Sequence, residues 1–166
     1  MQHDDAEALF DHLYWIRDKL LAAADHPSVT LVDPRAPTGR DLRATLVHEL
    51  DVEWSWRVRL AGEDPTRFSE DDEELDPVDF LTIASIRERW TADEADMRTW
   101  LGTLDDDELA APCDAEDPPR HARWVHLQHL YTHALQQFAD AATLLSTAGR
   151  SPGSLDFLEW ADRGRT

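Results

Sequence analysis

The sequence predicts an all-α protein, a four-helix bundle with at least one long crossover connection. Three observations lead there: apolar residues recur at three- and four-residue spacing in long stretches, no strand-like alternation of useful length occurs, and turn-forming or acidic segments separate the stretches. The length of 166 residues suits one domain spanning the whole chain, 1–166. Tryptophans at positions 15, 54, 56, 90, 100, 124 and 160, within a hydrophobic share of 42%, supply the volume to fill a bundle interior.

The first helix is expected over about Ala6 to Ala24, where Leu9, Phe10, Leu13, Ile16, Leu20 and Leu21 share a face. His26 to Gly39 holds Pro27, Pro34 and Pro37 and reads as a loop. A second helix starts around Thr38 to Asp41 and runs to about Ala61, with Leu46, Leu50, Trp54 and Val58 on one stripe and Gly62 as its stop. Glu63 to Pro77, dominated by Asp and Glu, reads as a solvated crossover. The third helix is marked by Ile83, Ile86, Trp90, Met97, Trp100 and Leu101, with Gly102 beginning its end and a short helical turn over Asp105 to Ala110. Beyond Pro112, Pro118 and Pro119, the stretch from about Arg120 to Ala148 is free of Pro and Gly and is the fourth helix, closed by Gly149 and Pro152. Leu155, Phe157, Leu158 and Trp160 are too apolar for a free tail, so a short C-terminal helix folding back onto the bundle is expected.

Charge removes several partners. Thirty-five acidic residues against 16 basic ones give a formal net charge of -19, which repels phosphate backbones and anionic membrane surfaces alike. No apolar run approaches the ~20 residues of a spanning helix. The start, Met-Gln-His-Asp-Asp-Ala-Glu, lacks the features of a secretory signal, and a cytoplasmic location is the expectation. Cys113 is the one cysteine, so neither an internal disulfide nor a cysteine zinc cluster can form. Lys19 is the single lysine; with abundant Asp this suits either a salty habitat or a genome that encodes Arg in preference to Lys.

Chemistry-bearing residues concentrate on two helices. His126, His129 and His133 lie on one side of the fourth helix, and the H-x-x-x-H spacing of His129 and His133 lets two imidazoles converge on one ion. They point largely away from the apolar stripe, with Gln136 and Asp140 nearby, which equally suits a solvated face or a polar pocket. His48 lies mid-helix between apolar neighbours, as a hydrogen-bonded core histidine or a third ligand, with Asp51 one turn on to orient it. Sharper motifs fail. His48-Glu49 lacks the second histidine of H-E-x-x-H because Val52 stands there, and no histidine follows a Glu at the three-residue spacing of di-iron bundles. Cys113, beside Asp114, has no activating environment for a nucleophile.

The segment from Leu46 to Gly62, with a histidine preceding an acidic, aromatic-rich stretch, resembles the second helix of DinB-like proteins. Val125 to Gln136 resembles their fourth-helix motif, and Gly149 to Trp160 their closing segment; together with the helix count, the likeness covers nearly the whole chain. It implies an up-down-down-up bundle in which His48, His129 and His133 bind a divalent ion, with His126 outside the motif. The family's frequent Arg-Gly after the second histidine is here Ala134-Leu135, and its Asn before the first is Gln128. Among such proteins are thiol-dependent transferases and isomerases using low-molecular-weight thiols. The leading expectation is thus a metal-dependent enzyme that activates a thiol or water, with Gln136 as a pocket residue. A hydrolase acting on a small ester or amide, and a non-catalytic stress-response binding protein, are the rivals. Three imidazoles suit Zn, Ni, Fe or Mn alike. The habit of relatives to pair through helix faces points to a homodimer.

Overall fold

The structure, a computed structural model, describes residues 1–62, 75–113 and 120–163. Most of the expected crossover and the loop holding Pro118 and Pro119 lie outside these residues. Among the described residues the secondary structure is helical apart from one isolated bridge, Pro112 with Ala122.

Helix α1 (His3–Ala24) begins earlier than its apolar periodicity suggests. The Gln2 N–H donates to the Asp5 carboxylate at 3.0 Å, and Asp4 and Asp5 sit at the positive end of the helix dipole. Helix α2 (Leu42–Ala61) starts where Asp41 accepts the Ala44 N–H at 2.8 Å and stops at Gly62, whose φ of +69° only glycine adopts cheaply. A 3-10 turn (Pro77–Asp79) leads to α3 (Ile83–Leu101), capped by the Thr82 hydroxyl accepting from the Ser85 N–H at 3.1 Å. In the short α4 (Asp106–Ala110), Asp105 and Glu108 cap one another's backbone N–H groups. Helix α5 (Arg123–Thr147) begins later than Arg120, because the chain before it pairs with the segment after α4: the Arg123 N–H donates to Ala111 O at 2.9 Å. The tail forms α6 (Phe157–Arg163).

Helices α1, α2, α3 and α5 enclose one hydrophobic core, α5 and α3 each packing against both α1 and α2, while α4 lies on α5 and α6 on α1. Leu20, Leu46, Leu50, Ile86, Trp90 and Met97 are sealed from solvent; burial of such side chains stabilises by about 1.5–3 kcal/mol each. The start of α1 meets the end of α3, where His3 Nε2 donates to Leu101 O at 3.1 Å, and Asp25 just past α1 pairs with Arg87 near the start of α3 at 3.9 Å.

The inner face of α2 differs from the apolar stripe expected of it. Trp54 is half-buried, under the Arg89 guanidinium at 5.2 Å, while Glu49, Glu53 and Arg57 are buried. Partners from other helices make this tolerable: Tyr14 Oη donates to Glu53 Oε1 at 2.7 Å and Trp90 Nε1 to Glu53 Oε2 at 3.1 Å. Trp100 is likewise half-buried. The expected return of the tail is present: Phe157 and Trp160 pack on the His12 ring at 5.0 and 5.5 Å. No helix among the described residues is long and apolar enough to cross a membrane.

Candidate metal centre

Helices α2 and α5 lie side by side, and their histidines meet across the seam. The ring centres of His48 and His133 are 5.3 Å apart, and those of His129 and His133 are 6.2 Å apart. His48 and His133 are half-buried; His129 is exposed. One nitrogen from each does not yet fall within 4.8 Å of the other two. Among the described residues only His3, Asp4 and Glu7 bring three ligand atoms that close, at the exposed start of α1, beside a surface hollow lined by Leu104, Asp105, Asp106 and Asp107.

The electrostatics of the seam centre on His133. Its Nδ1 lies 2.7 Å from Oε2 of Glu49, a carboxyl only 1% exposed. Burial, then the charges of His48, His129 and Arg40, push His133 down to about 4, so it is neutral at physiological pH. Burial, aided by the nearby Glu53 charge, holds the Glu49 carboxyl well above the usual carboxylate range. A neutral imidazole is the form that ligates a metal.

An aromatic cluster flanks His129. Trp56 lies 5.4 Å from His129 and stacks on His126 at 5.4 Å, with His121 edge-on to His126 at 5.9 Å and the Arg59 guanidinium 5.1 Å from the Trp56 ring. His126 is the buried histidine of the fourth-helix trio, at 4% exposure, which spacing did not foretell. Gln136 is exposed. Asp51 accepts the Leu75 N–H at 2.8 Å, fastening the far end of the crossover to α2.

Sequence reasoning overlooked Glu49. The available signal was the helical stripe Leu42, Leu46, Glu49, Glu53 and Arg57, which carries two carboxylates along an otherwise inward face. It also overlooked His12, 2% exposed, whose Nε2 donates to Leu155 O at 3.3 Å and whose Nδ1 accepts from Tyr131 Oη at 3.1 Å. No protein-family model matches this chain, and no curated protein matches it significantly.

Proposed function

We propose that this is a DinB-like protein that holds a divalent cation between α2 and α5 through His48, His129 and His133. The carrying observation is that His133, neutral and half-buried, faces His48 across the seam at 5.3 Å with His129 one turn away on its own helix. Imidazoles bound at about 2.0–2.1 Å to a common ion have ring centres on the order of 5 Å apart. The His48–His133 pair already meets that spacing; the His129–His133 pair, at 6.2 Å, reaches it by a turn of the exposed His129 side chain. The contacts between α1, α2, α3 and α5 suit an up-down-down-up order: α1 meets α3 end to start, whereas Glu53 with Trp90 and Arg57 with Asp96 pair α2 and α3 in parallel.

A divalent ion held there supplies a Lewis acid that lowers the pKa of a coordinated thiol or water. The chain's own contribution is Trp56, packed edge-on against His129 at 5.4 Å, and three imidazole donors, one fewer than the four protein ligands of a closed structural site. A thiol-dependent transferase or isomerase acting on a small molecule is the reading that the resemblance favours, with hydrolysis of a small ester or amide as the second. Elemental analysis of untagged protein tests the foundation. About one equivalent of zinc, nickel, iron or manganese is expected in the wild type and less than a tenth of that in His129→Ala; equal metal in both would discard the site. Turnover that depends on added thiol then separates transferase from hydrolase.

A further inference from the structure

His133 has two nitrogens, and only one can serve a cation. Its Nδ1 is engaged at 2.7 Å by Glu49 Oε2, a carboxyl one residue beyond His48 on α2 and almost wholly removed from solvent. The neighbouring buried carboxyl, Glu53, has both oxygens taken by Tyr14 and Trp90, so it does not compete for the ring. Water does not compete either at 1% exposure, and a hydrogen bond in so dry a setting is electrostatically stronger than one at the surface. A buried carboxyl on a facing helix fixes the rotation of the ring, and a cation on Nε2 would fix its tautomer, leaving the proton on Nδ1 for Glu49 to accept.

We infer that Glu49 is a positioning residue for the cation site: it accepts the Nδ1–H of His133 and thereby presents Nε2 as the ligating nitrogen. The inference rests on the metal-binding reading above. It makes one turn of α2 supply both a ligand, His48, and the group that aims the ligand opposite. Loss of such a partner weakens metal binding by about 10–100-fold in comparable sites.

The test is zinc affinity by chelator competition on the full-length, untagged chain, for wild type, Glu49→Leu and Glu49→Gln, with melting of the metal-free proteins measured alongside. Glu49→Leu should bind zinc about 10–100-fold more weakly. Glu49→Gln keeps an acceptor oxygen at the same reach and should recover most of the affinity, which a purely space-filling role would not require. A second measurement needs no variant: nitrogen NMR of the zinc-loaded wild type should show His133 metallated at Nε2 and protonated at Nδ1. Zinc on Nδ1, or Glu49→Leu binding within about threefold of wild type, would overturn the inference while leaving the metal site intact. A wild type that takes up no zinc would instead remove the metal reading, and this inference with it.

Discussion

At the scale of single residues, the most consequential choices are polar groups placed where apolar ones would pack. Glu53 is 3% exposed and is held by one donor from α1 and one from α3, so it ties three helices together through two atoms. Burial raises its pKa, while the Tyr14 and Trp90 hydrogen bonds oppose the shift. Glu53→Ala leaves the Tyr14 hydroxyl and the Trp90 indole N–H without their acceptor, at roughly 1–3 kcal/mol each. Urea denaturation should therefore show a loss of about 3 kcal/mol, and Tyr14→Phe a smaller one of about 1 kcal/mol. A midpoint unmoved by Glu53→Ala would mean that water takes over the two donors. The helical stripe of Leu42, Leu46, Glu49, Glu53 and Arg57 places the two glutamates on an inward face, but what makes their burial tolerable is Tyr14, Trp90 and His133 arriving from other helices, which no local pattern shows. The histidines were legible as candidates, but which of them face inward was not: spacing groups His126 with His129, and packing buries the first and exposes the second.

At the scale of elements, helices with a strong apolar period were read nearly to their ends, and the discrepancies have local causes. Asp5 extends α1 backward; the bridge between Pro112 and Ala122 delays α5. The returning tail is the element with the clearest pH signature. His12 anchors it through Leu155 O, and burial lowers the His12 pKa, opposed by the Leu155 carbonyl and Asp156. A histidine with a depressed folded-state pKa binds fewer protons folded than unfolded near its ordinary value. Its contribution is therefore complete above about pH 6.5 and diminishes as pH falls below that. Glu49 and Glu53, with raised pKa values, act in the opposite sense, so the comparison must be differential. Melting temperature should fall more between pH 7 and pH 5 in the wild type than in His12→Gln. Parallel curves would show that His12 carries no such linkage.

At the scale of the whole molecule, charge dominates. A net charge of -19 sets like charges against one another over the surface, although local pairs such as Arg17 with Glu94 at 2.6 Å and Arg98 with Asp11 relieve part of it. Screening at high ionic strength weakens the long-range repulsion more than these short contacts. Melting temperature should therefore rise from low to molar KCl, and a flat response would remove adaptation to salt as the reason for the acidity. One of the few cations has a further use. Lys19 bonds to Ser154 O and lies 4.3 Å from the centre of the Trp15 ring, which Arg163 of the returning tail also covers at 4.9 Å. Since the chain has no other lysine, an amine-directed label has a single side-chain target, and its rate of attachment there becomes a built-in gauge of how often the C-terminal segment lifts away.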